Sequence, residues 1–303
     1  MVKQKKKTAV LLMVLFSLLC GSAAFGAEPQ AEEPQYIRYS VKAENPPEEL
    51  YGQYIPVLMY HHFAIRDMGR GNGNVTTVQE LEEQLRYFKS QGYRIISLED
   101  LDRLWKQAER KTKWGENTTA GLKLDGKYLC ITMDDGYYSN YELGYPMFEK
   151  YRTPASVFAV TDYVTNQIGI QKFTWKQAQK MEDSGYMKVY SHTADHQPVQ
   201  AGEEAAFLLS AQKSEEALKT YLGADENKVK ALAYPNGKYT EESQRLLTED
   251  GYRMQFTVEE GVITNRTSRD AIPRIMVFSG MDGAEIVRKI ERVAEKAFAA
   301  ERG

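Results

Sequence analysis

Short apolar runs alternate with amphipathic stretches along this chain of 303 residues. Tyr54 to Tyr60, Tyr128 to Met133, Ala155 to Val160, Met187 to Tyr190, Val229 to Tyr234, Met254 to Val258 and Ile272 to Phe278 are rich in apolar, β-branched or aromatic residues, which predicts buried strands. Arg94 to Ser97 adds a shorter one. Between them, Thr77 to Gly92 places Leu81, Leu85 and Phe88 at helical spacing behind a cap at Thr76 or Thr77. Further helices are expected over Leu98 to Gln107, Tyr141 to Tyr151, Thr174 to Ser184, Glu203 to Tyr221, Glu241 to Gly251 and Asp282 to Ala299. Strand followed by helix, repeated this often, implies a parallel sheet with right-handed crossovers. The expected fold is therefore α/β, a single domain over 51–303 in which about seven such units could close into a barrel.

The N-terminus breaks this pattern. Lys3, Lys5, Lys6 and Lys7 precede an apolar run from Ala9 to Cys20, and small residues follow at Gly21, Ser22, Ala23, Ala24 and Gly26. Residues 1–26 thus read as a signal peptide or an uncleaved N-terminal anchor, and either puts the remainder outside the cytoplasm. Residues 27–50 are acidic and carry prolines, as a linker would. Removing 1–26, with its four lysines and no acid, takes the net charge from −3 to −7. An acidic body without a basic run offers no footprint for nucleic acid. Membrane contact is expected only through the N-terminal anchor, and no protein partner is implied. Cys130 is the only cysteine beyond that segment, so no intramolecular disulfide is available to the body.

The chemistry is concentrated in three places. The chain has only four histidines, in Tyr60-His61-His62-Phe63 and Ser191-His192-Thr193-Ala194-Asp195-His196, and Asp134-Asp135-Gly136 lies between the two clusters. His61, the aspartates, His192 and Pro235-Asn236 each follow the end of a predicted strand. In a βα-barrel those positions converge on the face that carries the active site. His192 and His196 stand four apart, so one helical turn would bring both imidazoles to one ion. Imidazole and carboxylate together suit Zn²⁺ or a similar divalent metal. Two adjacent carboxylates could divide the work, one holding the cation and the other taking a proton from water. Each piece also has an ordinary reading: the histidine pair as a polar surface helix, Asp-Asp-Gly as a turn, His61 and His62 as rim residues satisfied by backbone.

Taken in order, Val57-Leu58-Met59-Tyr60-His61-His62, Ile131 to Tyr137, Ser191 to His196 and Ala233-Tyr234-Pro235-Asn236-Gly237 resemble the motifs of polysaccharide deacetylases. These are the NodB-type group, carbohydrate esterase family 4. The resemblance runs from about Ile55 to Phe278, and is greatest to the extracellular branch acting on poly-N-acetylglucosamine. It implies a distorted (β/α) barrel of about seven units as a single catalytic domain, and a mononuclear site, most simply zinc, held by Asp135, His192 and His196. Asp134 would be the base and His61 the general acid. Tyr234, Asn236 and Arg274 fall on the oxyanion and substrate side, with the amide near Asn236 as the oxyanion donor. Arg274 is also the candidate to replace a base-orienting arginine that many members carry where this chain has Ala233. The implied substrate is an N-acetylated cell-surface or extracellular polysaccharide. An O-acetyl esterase on xylan-type polymers, or a non-catalytic carbohydrate-binding relative, would use the same frame. His62 is expected to be structural.

Overall fold

The computed structural model describes residues 52–67, 73–113, 124–167 and 169–302. The signal or anchor and the linker lie outside these residues. The strands are β1 (Val57–Tyr60), β2 (His62–Ala64), β3 (Val75–Thr77), β4 (Tyr93–Ile95), β5 (Lys127–Met133), β6 (Ala155–Ala159), β7 (Met187–Ser191), β8 (Ala231–Ala233), β9 (Met254–Glu260) and β10 (Ile272–Met276). The helices are α1 (Val78–Ser90), α2 (Leu98–Lys113), α3 (Tyr145–Lys150), α4 (Trp175–Asp183), α5 (Glu204–Leu222), α6 (Glu241–Glu249) and α7 (Gly283–Arg302).

Seven parallel strands close into a ring in the order β1, β10, β9, β8, β7, β6, β5 and back to β1. The strand β5 is shared. Its first half, Lys127 to Leu129, pairs with β4, and its second half, Cys130 to Met133, pairs with β1. The ring is therefore complete at the C-terminal ends of the strands, where the site residues lie.

Strand sequences that face helices outside and a packed interior inside are apolar on both faces, as in β1 (VLMY) and β6 (ASVFA), which are buried throughout. The two faces belong to different clusters. On β5, Ile131 and Met133 pack outward with Leu81, Leu85, Phe148 and Ile290, whereas Cys130 joins the interior group of Val57, Phe158, Tyr190 and Phe256. Period-two alternation then turns Thr132 and Asp134 inward. The helix α2 contributes Leu98, Leu101 and Trp105 to the interior cluster. Its Asp102 accepts from Arg253, just before β9, and Arg269, just before β10.

Threonine starts three of the helices. Thr77, Thr174 and Thr240 each form a reciprocal capping box with the residue three further on. Two expectations need correction. The helix expected from Tyr141 begins as a π-helical turn, Asn140–Gly144, before α3. The pair β2 and β3, bonded in parallel from His62↔Val75 to Ala64↔Thr77, was not expected, because three-residue strands are too short to show a period. Among the described residues no helix is long and apolar enough to cross a membrane.

Candidate metal and catalytic site

The strand ends deliver the site. Directly after β5, Asp135 (φ 71°) and Gly136 (φ 66°) are both left-handed. Aspartate tolerates this conformation better than most residues. At Gly136 a Cβ would stand 3.1 Å from Ala159 Cβ, so the tight turn also requires glycine for space. The reversal lets Asp134 follow the interior face of β5 while Asp135 swings to meet the histidines.

Asp135 Oδ1 lies 3.6 Å from His192 Nε2 and 3.4 Å from His196 Nε2, and one ligand atom from each of the three lies within 4.8 Å of the others. Donors at about 2.1 Å from a tetrahedral Zn²⁺ stand about 3.4 Å apart, so this spacing fits a divalent cation. His192 is prepared for the role. Its Nδ1 sits 2.7 Å from the Ala233 carbonyl oxygen and donates to it, which leaves the Nε2 lone pair facing Asp135. Burial lowers its pKa, outweighing the pull of Asp134 and Asp135, so the ring is a neutral donor.

The histidines do not share a helical turn, contrary to the expectation from their spacing. The segment after β7 is irregular, with Thr193 (φ 65°) and His196 (φ 59°) both left-handed. The Thr193 hydroxyl accepts from the His196 amide at 3.1 Å, and the ring centroids come to 4.8 Å in an edge-on arrangement. The turn that brings the imidazoles together is built from left-handed backbone and from side-chain oxygens of Ser191, Ser210 and Thr193 that accept from the Thr193, Ala194 and His196 amides.

Asp134 is buried and held from the opposite side. Arg274 of β10, wholly buried, donates Nη1 to Oδ1 and Nη2 to Oδ2, each at 2.7 Å. Its Nε donates to the Thr257 carbonyl at 2.8 Å. Burial alone would raise the Asp134 carboxyl, but Arg274, His192 and His61 outweigh it and hold it at about 2. Arg274 thus orients the Asp134 carboxylate. As a substrate contact it is corrected: a fully buried guanidinium spent on protein acceptors does not reach a polymer.

A cleft of ≈ 440 Å³ opens over these groups, lined by His61, Asp134, Asp135, His192, His196 and Asn236 among others. His61 stands between β1 and β2, and its Nδ1 is buried without a hydrogen-bond partner. His62 lies 3.0 Å through Nδ1 from Ser139 Oγ and packs edge-on against Tyr137. Burial, and then Lys172, lowers its pKa. The Lys172 ammonium sits 3.7 Å over the Tyr137 ring, and burial brings it down to about 8 against the opposing pull of Asp135.

Asn236 is left-handed (φ 53°) in the turn Pro235–Gly237. The Gly237 and Lys238 amides are taken by Tyr234 and Pro235 carbonyls within the turn. The Asn236 amide is its first N–H, which such a turn does not use. Tyr234 lines the cleft but is buried and gives its hydroxyl to Gln255 Oε1, so it supplies wall and no polar contact. Sequence reading missed Ser139, Asn140, Lys172 and the Thr193 hydroxyl. Ser139 and Asn140 stand close after the aspartates, the one signal that could have drawn attention to them.

With this geometry in hand, comparison with known proteins is informative. The family model described as polysaccharide deacetylase matches residues 121–255. That stretch is similar in sequence to polysaccharide deacetylase domains. The match takes in Asp134, Asp135, His192, His196 and Asn236, and leaves His61 and Arg274 outside its limits. The chain is similar to the Bacillus subtilis (strain 168) protein YxkH, with 26% identity over 78% of this chain and 76% of that one. It is also 26% identical to the poly-β-1,6-N-acetyl-D-glucosamine N-deacetylase of Staphylococcus epidermidis, over 66% of this chain and 67% of the relative. Among solved structures, the Streptococcus pyogenes deacetylase PplD aligns with TM-score 0.64 at 20% identity, over 78% of this chain and 98% of that one, a likeness of fold.

Proposed function

We propose that this chain is a metal-dependent N-deacetylase of an extracellular N-acetylglucosamine-containing polysaccharide. The observation that carries the reading is the convergence of Asp135, His192 and His196 beside a second carboxylate, Asp134, that Arg274 holds ionised at the floor of an open cleft. The Staphylococcus epidermidis relative, by its name, acts on poly-β-1,6-N-acetyl-D-glucosamine, which supports that class of polymer. The basic and apolar N-terminus supports export, either as a cleaved signal or as an anchor.

Asp135, His192 and His196 would hold the cation, with zinc suited to two imidazoles and a carboxylate. When bound, such a cation polarises the acetamido carbonyl and lowers the pKa of an attacking water. Asp134 accepts the proton of that water, and Arg274 keeps both of its oxygens in place for the task. The Asn236 amide donates to the oxygen that becomes negative as the carbonyl carbon turns tetrahedral. His61 supplies a proton to the departing amine nitrogen as the C–N bond breaks. Acetate and a glucosamine unit result.

The test is acetate release by the metal-loaded protein from poly-β-1,6-N-acetylglucosamine oligomers and from acetylated xylan, beside chelated protein and Asp134→Asn. Metal-dependent release from the glucosamine oligomers, lost by a factor of about 10² to 10⁴ in the variant, is expected. Release from xylan alone would make the chain an O-acetyl esterase. Release from neither would leave the non-catalytic reading standing.

A further inference from the structure

The π-helical turn Asn140–Gly144 and the residue before it, Ser139, dock on the segment His61–Phe63 through four contacts. Asn140 Nδ2 donates to the His61 carbonyl at 2.7 Å. Ser139 Oγ accepts from the Phe63 amide at 3.0 Å and lies 3.0 Å from His62 Nδ1. Gly144 gives its face to the Phe63 ring, where a Cβ would stand only 2.8 Å from Cε2. The turn is closed by the Tyr145 amide bonding back to the Asn140 carbonyl.

His61 needs such support. It lies after β1 and before β2, where the Tyr60 carbonyl is taken by the Asp134 amide and the His62 amide by the Asn74 carbonyl. At the break between these ladders, Asn140 provides a donor to the His61 carbonyl. Asn140 is wholly buried, and its own Oδ1 has no partner. A buried amide with one end unsatisfied is a cost that an apolar residue of the same size would avoid. Wide π turns inside helices are similarly unfavourable and recur at functional sites. Both features are explained if the turn exists to aim His61.

We infer that Asn140 is a positioning residue for His61. Donation from Nδ2 fixes the His61 peptide, and through it the direction of the imidazole into the cleft. Because Asn140 lies five residues after Asp135 on one continuous run, the spacing between the acid and the cation's carboxylate is set by a single turn of chain. The inference rests on the reading of His61 as general acid.

The test uses the full-length, metal-loaded protein with Asn140→Ala, Asn140→Leu and the double variant Asn140→Ala/His61→Ala. Asn140→Leu keeps the size and shape but has no donor for the carbonyl. Both single variants are expected to lose kcat about 10- to 100-fold, as a misplaced catalytic group does, with KM within about twofold and metal affinity by titration unchanged. In the His61→Ala background the Asn140→Ala change is expected to have no further effect on kcat. Crystal structures of the single variants should show the His61 ring displaced. Full activity in Asn140→Leu, or an equal loss of kcat with and without His61, would overturn the inference. If the wild type releases no acetate, the functional reading fails, and the position of the His61 ring in the variants alone decides the role of Asn140: an undisplaced ring overturns it.

Discussion

Asp134 and Arg274 face each other past the intervening strand β1, and both carboxylate oxygens are met at 2.7 Å by separate guanidinium nitrogens. No water-exposed surface remains on the arginine. A buried pair of this kind is costly to break from one side and cheap to replace from both. Arg274→Met is expected to destabilise the fold by about 3–5 kcal/mol in urea unfolding. The double variant Arg274→Met/Asp134→Leu is expected to recover most of that loss while releasing no acetate. A double variant no more stable than the single would mean that packing, not the unpaired charge, dominates.

The same pair sets a pH dependence. In the fold the Asp134 carboxyl lies at about 2, against an ordinary 3.8. A depressed carboxylate stabilises the fold above its unfolded pKa, and that contribution is lost as pH falls from near 3.8 towards 2. The shift corresponds to roughly 2 kcal/mol at neutral pH. The stability gap between wild type and Asp134→Asn, measured by denaturant unfolding, should therefore shrink by about that amount between pH 5 and pH 2. A gap that stays level would contradict the arrangement.

Cation binding should be visible without any substrate. A ligand present at about 100 times its Kd stabilises the folded state by roughly 2.7 kcal/mol. Adding zinc to chelated wild type is expected to raise Tm by several degrees. Asp135→Ala, His192→Ala and His196→Ala should each lose most of that rise, and His62→Ala should keep it. A rise retained in all three ligand variants would place the cation elsewhere.

The role of His61 is separable from that of Asp134 by the leaving group. An amine must be protonated to depart, whereas an activated phenol leaves as its anion. His61→Ala is expected to lose about 10² to 10⁴ in kcat on N-acetyl substrate and less than about tenfold on an aryl acetate. Asp134→Asn should lose activity on both. Equal losses on both substrates for His61→Ala would exclude it as the acid.

The barrel was readable from the chain because its strands are buried on both faces and three of its helices begin at threonine caps, both strong local signals. The donor set was readable because histidine is so rare here and is placed at strand ends. The path from His192 to His196 was not. Their spacing of four suggests a helix, and only the left-handed Thr193 and His196 reveal otherwise. Arg274 could be suspected, since Ala233 leaves the base without its usual partner. Its full burial, which turns it from a substrate contact into a clamp, depends on a residue 140 positions away. The π turn was hidden because Tyr141, Tyr145 and Phe148 keep a spacing that an ordinary helix would also have.

β5 pairs with β4 along its first half and with β1 along its second. This division partitions the tolerance of the molecule to change. Substitutions at Lys127 to Leu129 are felt by β4 and the helices flanking it, where a small shift leaves the chemistry untouched. Substitutions at Ile131 to Met133 move the seam that closes the ring, and Asp134 and Asp135 move with it. Variation accumulating in this family of barrels should therefore be permitted at the start of the strand and purged at its end, so that a single seven-residue segment records two different selective regimes.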